Sequence, residues 1–195
     1  MLTAITGGIG SGKSVVCHIL KAIGYPVYDC DSRAKTLMDS DEDIKRRLAE
    51  EIHDSVILMN GSIDRPRLSQ LVFADAGKLL ILNRIVHAAV REDIKLWYNM
   101  LAEEAKLKGF SQPIAFVETA ILYESEVDKM VDSVWEVTAP IETRIERVAK
   151  RNGLTRGQIE ARIESQSSLS RPSHRLIVND GITPVLPQIE SLLVF

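Results

Sequence analysis

The stretch ITGGIGSGKS, residues 5–14, concentrates four glycines and one lysine directly after a short apolar run. Within it, Gly7, Gly12, Lys13 and Ser14 match the pattern G-x-x-x-x-G-K-[ST]. The preceding residues predict a strand and the following ones a helix, which is the context that this pattern requires. The stretch therefore predicts a strand, a glycine-rich loop and a helix in that order.

Bare backbone beside a positive charge suits a phosphate group. Glycines allow successive N–H groups to line one concave anion site, and the positive end of the following helix dipole adds to it. Lys13 can reach the β and γ phosphates of a nucleotide, and the hydroxyl of Ser14 can ligate Mg²⁺. A purely structural glycine-rich turn is the alternative, and the lysine and serine favour the phosphate site.

Composition excludes several other classes. The chain has 195 residues, is 45% hydrophobic and carries a net charge of -3, which gives no general attraction to nucleic acids or anionic membranes. Two cysteines, Cys17 and Cys30, are too few for a disulfide framework or a structural zinc site. We find no targeting leader and no apolar run of membrane-spanning length, so we expect a cytoplasmic protein without nucleic-acid or membrane partners.

The remaining pattern predicts an α/β fold with a parallel sheet flanked by helices. Strand-like runs alternate with helical periodicity, as in PVYDCD at 26–31, IAFVE at 114–118, SVWEV at 133–137 and RLIVN at 175–179. A long tract from Arg65 to Lys108 has helical periodicity and no strand signal. We interpret it as a helical insertion into a single domain.

Two carboxylates follow the second predicted strand. Asp29 and Asp31 are two residues apart, so on a strand both side chains would lie on one side, at the edge where open α/β sheets bind ligands. One of them could accept a proton from an attacking hydroxyl or help to hold Mg²⁺. The alternative is that one carboxylate only caps the next helix.

Three arginines repeat along one later helix. Arg144, Arg147 and Arg151 occur at i, i+3 and i+7, opposite the apolar side of the same helix. Guanidinium groups suit phosphoryl oxygens, and such a row on a mobile helical lid could stabilise the charge on a transferring group. A solvated charged face is the alternative, and the presence of the phosphate motif in the same chain favours the functional interpretation.

Together, these segments resemble the dephospho-CoA kinase family. The resemblance rests on LTAITGGIGSGKS, VYDCD, GSIDRPRLSQLVFAD, RIVHAAV, ILYES and RIERVAKRNGLT with RIESQ, which occur in the family's order over nearly the whole chain. It implies a P-loop NTPase fold with a core at about 1–60, 112–139 and 172–195, a helical CoA-binding region at about 62–111 and a lid at about 140–171. It also implies transfer of the ATP γ-phosphoryl group to the ribose 3'-hydroxyl of dephospho-CoA, with Mg²⁺ and CoA as product.

The resemblance also implies roles for individual residues. Asp31 matches the second aspartate of the family's D-A-D motif, which is the expected base. Arg65 and His87 match positions of the substrate region. From its spacing alone, His87 would be a residue packed on a helix. Arg147 and Arg151 match the R-x-x-x-R lid pattern. The expected catalytic residues are Asp31, Lys13 and Arg147, and the expected metal ligand is Ser14. The expected ATP-binding residues are Gly8, Ile9, Gly10, Ser11, Gly12, Lys13, Ser14, Arg147 and Arg151.

The chain departs from the family pattern outside the phosphate motif. Cys30 stands in the middle of D-A-D, Ala88 replaces the proline after His87, and Ser173 and His174 replace the usual A-D before the last strand. These departures concern the pocket rather than the reaction. Two other functions remain open from the sequence: a P-loop kinase for another nucleoside or nucleotide acceptor, and a nucleotide-dependent switch.

Overall fold

The computed structural model describes residues 1–166 and 175–193. The last part of the predicted lid and the beginning of the last core segment, including Ser173 and His174, lie outside the described residues. Within the described ranges, five strands form one sheet: β1 Leu2–Thr6, β2 Val27–Asp29, β3 Ala115–Glu118, β4 Ser133–Thr138 and β5 Arg175–Val178.

The sheet order is β2-β3-β1-β4-β5, with β1 in the centre. The pairs β1–β3, β1–β4 and β4–β5 are parallel, with Leu2 opposite Ala115 and Ile5 opposite Trp135. Every residue of β1 is buried, as expected for a central strand that is covered on both faces. The predicted parallel sheet flanked by helices is therefore confirmed.

The described residues form eight α-helices and two short 3₁₀ helices. The α-helices are α1 Lys13–Ala22, α2 Cys30–Ser40, α3 Glu42–Glu51, α4 Arg65–Ala74, α5 Ala76–Leu107, α6 Ile141–Asn152, α7 Arg156–Ser165 and α8 Val185–Leu192. The 3₁₀ helices are Asp54–Val56 and Val127–Met130. Glycines with positive φ follow two of the helices, since Gly24 comes after α1 and Gly153 after α6.

The chain divides into two compact units. The sheet unit comprises Met1–Tyr28 and Ser111–Phe195, and the helical unit comprises Asp29–Phe110. The helical unit begins well before residue 62, where the sequence analysis begins the helical region, because α2 and α3 pack with α5. The division into a core, a CoA-binding region and a lid within one domain stays a prediction.

Each unit has its own apolar core. In the sheet unit, the rings of Phe116 and Trp135 are 5.1 Å apart and pack with aliphatic side chains of α1, α8 and the strands. In the helical unit, the buried residues are aliphatic and come from α3, α4, α5 and their connections: Ile44, Leu48, Ile52, Val56, Ile63, Leu68, Val72 and Ile85. This helical core explains why the tract shows helical periodicity and no strand signal.

Aspartates define several helix starts. Asp41 accepts hydrogen bonds from the amides of Asp43 and Ile44 and caps α3, and Asp75 caps α5 by accepting from the amide of Gly77.

Among the described residues, no helix is both long enough and apolar enough to span a membrane.

Candidate active site

The glycine-rich stretch forms a loop between β1 and α1. Gly12 caps α1 with φ 95°, a left-handed conformation that strains other residues, and a Cβ atom at this position would lie 1.9 Å from Asn179 Nδ2. Gly12 is therefore required both for its backbone conformation and for its lack of a side chain. The predicted strand, loop and helix are confirmed.

Lys13 and Ser14 open helix α1 at the end of the loop. The ammonium group of Lys13 donates a hydrogen bond to the carbonyl oxygen of Gly7 at 2.6 Å, so the lysine folds back over the loop. Ser14 lies in the first turn of α1 with an exposed side chain. The positive end of α1, the lysine charge and a hydroxyl group thus share one end of the loop, which favours anion binding there.

Arginines of α6 contact the loop through its carbonyl groups. Arg144 Nε donates to the carbonyl oxygen of Ile9 at 2.9 Å, and its guanidinium group fills the space beside Gly8, where a Cβ would lie 2.2 Å from Nη2. Arg147 Nη1 donates to the carbonyl oxygen of Asn179 at 2.9 Å and lies 3.5 Å from the carbonyl oxygens of Gly10 and Ser11. Both arginines therefore hold the loop by its main chain.

The charges of these two arginines are not neutralised by neighbouring carboxylates. Within residues 1–166 and 175–193, the ion pairs include neither Arg144 nor Arg147. Burial lowers the pKa of Arg144 from its ordinary value, because a charge loses hydration energy inside the protein. Arginine nevertheless keeps its proton in proteins, so two positive charges lie beside the loop. Within the described residues, the groups that accept their hydrogen bonds are neutral carbonyl oxygens.

Ile9 ties the loop to both helices of the predicted lid. Its amide donates to Gln166 Oε1, directly after α7, at 2.8 Å. Its side chain packs against the small apolar cluster that α6 and α7 form around Ile145, Val148 and Ile159. The loop and the described part of the predicted lid are therefore in direct contact.

Two buried hydroxyl groups lie at the candidate phosphate site, one at the end of β1 and one in the loop. Among the described residues, Thr6 Oγ1 and Ser11 Oγ are the buried side-chain atoms without a hydrogen-bond partner, and both residues are about 1% exposed. Such an unsatisfied group costs roughly 1–3 kcal/mol and is uncommon in folded proteins. Thr6 ends β1 and Ser11 is part of the loop, so both costs fall at the candidate phosphate site.

The two aspartates after β2 have different environments. Asp29 ends the strand and caps α2, where it accepts hydrogen bonds from the amide of Ser32 at 3.1 Å and from its hydroxyl at 2.6 Å. Asp31 lies in the first turn of α2 and is exposed. The expectation that both side chains share one side of a strand is wrong, because the chain becomes helical at Cys30.

The remaining expected site residues are distributed over both units. In the helical unit, Arg65 begins α4 and donates to Asp39 at 2.7 Å, and His87 is partly buried on α5. In the sheet unit, Arg151 is exposed near the end of α6 and donates to the neighbouring Asn152 at 2.9 Å. Of the predicted arginines of α6, the structure thus brings Arg144 and Arg147 to the loop and leaves Arg151 on the surface.

The helical unit also contains a groove of about 400 Å³ between α2, α3 and α5. It is lined by Leu37, Asp41, Asp43, Ile44, Arg47, Ile85, Ala88, Ala89, Glu92, Asp93 and Leu96. Four carboxylates and a single arginine give the lining an acidic balance. This groove is therefore unsuited to a phosphate group.

Sequence reasoning missed two residues that contact the loop. Asn179 donates through Nδ2 to the carbonyl oxygen of Ser11 at 2.9 Å, and Gln166 binds the amide of Ile9. Asn179 had a detectable signal, since it directly follows the last strand and the carboxyl ends of parallel strands share the edge that binds ligands. Gln166 had no such signal, because it follows a helix and not a strand of the sheet.

The glycine-rich loop, the lysine and the first helix, set after the central strand of a parallel sheet, define a P-loop nucleotide-binding fold. Comparison with known proteins narrows this class. The family model described as dephospho-CoA kinase matches residues 1–183. The chain belongs to the dephospho-CoA kinase family and is a kinase.

Named relatives agree with this family. A dephospho-CoA kinase of Bacteroides fragilis is 36% identical over 98% of this chain and 90% of its own length. One of Bacillus anthracis is 32% identical over 99% of this chain and 96% of its own length.

Solved structures show the same fold. The protein TT1252 of Thermus thermophilus superposes with a TM-score of 0.70 at 30% identity, over 99% of this chain and 94% of its own. A dephospho-CoA kinase of Campylobacter jejuni has a TM-score of 0.67 at 21% identity, over 97% of this chain and 92% of its own.

Proposed function

We propose that this protein transfers the γ-phosphoryl group of ATP to the ribose 3'-hydroxyl of dephospho-CoA and so produces CoA. The observation that carries the proposal is the loop between β1 and α1 in a chain of this family, with Lys13 and two arginines of α6 against it. Such a loop serves phosphoryl transfer mainly by positioning and charge stabilisation, because little covalent chemistry falls to the protein.

The loop residues Gly8 to Ser14 bind the phosphates of ATP in this proposal. Their amides and the positive end of α1 hold the β-phosphate, and Lys13 moves from the carbonyl of Gly7 to the β and γ phosphates. A bound phosphate offers the lysine a charged acceptor in place of a neutral carbonyl, which makes the exchange favourable.

Ser14 is the residue that would hold Mg²⁺. Its exposed hydroxyl in the first turn of α1 is an oxygen ligand of the kind that this ion prefers, and Mg²⁺ usually takes only one or two protein ligands together with substrate phosphates and water. When bound, the ion neutralises charge on the β and γ phosphates.

Asp31 is the proposed base. Its exposed carboxylate in the first turn of α2 can orient the 3'-hydroxyl and accept its proton, whereas Asp29 already caps α2 through Ser32. Arg65 and His87 are proposed contacts for the acceptor. For Arg65, a phosphate group of the acceptor would replace the carboxylate of Asp39.

Arg147 and Arg151 are proposed to stabilise charge on the transferring group. Arg147 is already beside the loop, and Arg151 follows it by one helical turn on α6. Guanidinium groups fit phosphoryl oxygens in a fixed geometry, which makes them suited to the equatorial oxygens of the transferring group.

We also propose that the protein acts in the cytoplasm on small molecules alone.

The test is an acceptor panel. ADP release from Mg-ATP is measured with dephospho-CoA, adenosine, AMP or shikimate as acceptor, and without any acceptor. Turnover with dephospho-CoA alone is the expected result. Faster turnover with another acceptor would transfer the assignment to a different small-molecule kinase, and hydrolysis indifferent to every acceptor would favour a nucleotide-dependent switch.

A further inference from the structure

Asn179 is a buried polar residue next to the phosphate loop. It directly follows β5, is 7% exposed, and its backbone amide donates to the carbonyl oxygen of Thr138 at 2.8 Å. Its side-chain Nδ2 donates to the carbonyl oxygen of Ser11 at 2.9 Å, across 168 residues of sequence. Main chain and side chain of Asn179 are therefore both fixed.

Arg147 determines which end of the Asn179 amide faces the loop. Its Nη1 donates to the carbonyl oxygen of Asn179 at 2.9 Å, and its Nη2 lies 3.5 Å from Asn179 Oδ1. A guanidinium group can only donate hydrogen bonds, so it selects the oxygen end of the amide. The NH₂ end must then face the carbonyl of Ser11.

The hydrogen bond to Ser11 fixes one peptide plane of the loop. In a planar trans peptide, the carbonyl of residue 11 and the N–H of residue 12 point in opposite directions. With the carbonyl held toward Asn179, the N–H of Gly12 points to the opposite side of the loop. A rotation of this plane would remove that N–H from the anion site and present a carbonyl oxygen instead.

We propose that Asn179 is a positioning residue for phosphate binding, which orients the Ser11–Gly12 peptide so that the Gly12 amide is available to the nucleotide phosphates. The inference rests on the proposed function in one respect, because it takes the loop to bind the phosphates of ATP. Arg147 then has a second role beside charge stabilisation, since it keeps the Asn179 amide in the required orientation.

The experiment compares Asn179→Asp and Asn179→Ala with the unmodified chain. Dissociation constants are measured by calorimetry for ATP and for inorganic tripolyphosphate, which has the phosphates without the base. Asn179→Asp replaces the NH₂ donor by an oxygen that repels the Ser11 carbonyl, and we expect both ligands to bind about 10- to 100-fold more weakly. Asn179→Ala removes the donor without adding a charge, so its effect should be smaller and in the same direction.

Gln188→Ala is the matched control. Gln188 also uses its amide to hold backbone at the end of β5, since Nε2 donates to the carbonyl oxygens of Val178 and Pro184 at 2.9 Å each. Its loss should lower thermal stability while both ligands keep their affinity. In turnover assays, the Asn179 variants should raise KM for ATP and leave KM for dephospho-CoA unchanged, a split that a general loss of stability does not produce.

Two results would overturn the inference. One is a folded Asn179→Asp protein that binds tripolyphosphate within about twofold of the unmodified chain. The other is weaker binding of ATP with unchanged binding of tripolyphosphate, which would assign Asn179 to the base. Failure of the proposed function is a separate observation, because it appears as the absence of CoA formation by the unmodified protein and does not affect the tripolyphosphate comparison.

Discussion

The arginines beside the phosphate loop have different partners from the arginines of the helical unit. In the helical unit, several arginines pair with carboxylates: Arg33 with Asp93, Arg46 with Asp43 and Glu50, Arg47 with Glu51, Arg65 with Asp39 and Arg84 with Glu51. In the sheet unit, Arg156 pairs with Glu142 and Glu160. Arg144 and Arg147 of the same unit instead donate to carbonyl oxygens of the phosphate loop and its neighbour Asn179. Carbonyl dipoles accept hydrogen bonds without cancelling the charge.

This difference shows where an anion is favoured. Exposed ion pairs of the helical unit leave little net field and contribute little stability, about 0–1 kcal/mol each. The two loop arginines, together with Lys13 and the positive end of α1, leave a net positive field at a partly buried site. We therefore expect changes at the loop to have large effects on turnover and ATP affinity, and changes in the carboxylate-paired arginines to have small ones.

The largest expected effect is that of Lys13→Ala. Removal of one preorganised charged donor commonly lowers turnover roughly 100- to 1000-fold, and the fold should persist because Lys13 contributes no core packing. The measurement is kcat for CoA formation, with circular dichroism to check the fold. A folded variant with undiminished turnover would remove the loop from the mechanism.

Asp31→Asn tests whether Asp31, a carboxylate of the helical unit, takes part in catalysis. We expect the maximal rate to fall about 100-fold, as for loss of a general base, with little change in ATP affinity. The matched variant is Asp29→Asn, which should affect the cap of α2 and hence stability more than rate. If the two variants exchange these effects, the base is Asp29.

Gly12→Ala and Gly61→Ala compare the two units at glycines with positive φ, 95° and 78°. At Gly61 nothing lies within 4 Å of an added Cβ, so only the conformational strain of about 1–2 kcal/mol applies. At Gly12 the added atom also collides with Asn179. We expect Gly12→Ala to weaken ATP binding more than tenfold and Gly61→Ala to lower only the melting temperature; equal ATP affinities would contradict the close packing around the loop.

The smallest effects are expected for single arginines. Arg147→Met should weaken ATP binding about tenfold, because one charge and its hydrogen bonds to the loop are lost. Arg46→Met removes an equally large cation whose charge is already paired, and its ATP affinity should not change. Titration calorimetry at two salt concentrations measures both affinities, and similar losses in the two variants would contradict the distinction between loop arginines and carboxylate-paired arginines.

Local sequence patterns predicted the fold and the loop because each depends on neighbouring residues. The motif at Gly7 to Ser14 and the apolar strand runs are both local signals. The prediction that the side chains of Asp29 and Asp31 lie on one side of a strand was wrong. Alternation of side chains holds only while the strand continues, and α2 begins between the two residues. The position of Asn179 after the last strand marks it as a candidate site residue. Its partner, Ser11, could not be predicted by spacing, because the contact joins distant segments.

Identification of the reaction product shows whether the protein phosphorylates dephospho-CoA at its ribose 3'-hydroxyl. The protein is incubated with Mg-ATP and dephospho-CoA, and the product is examined by ³¹P nuclear magnetic resonance and by mass spectrometry after digestion with a 3'-specific phosphatase. We expect a new phosphomonoester at the ribose 3'-hydroxyl, formed in equal amount with ADP and absent with Lys13→Ala. Release of ADP without a phosphorylated acceptor, or a phosphate at another position, would contradict it.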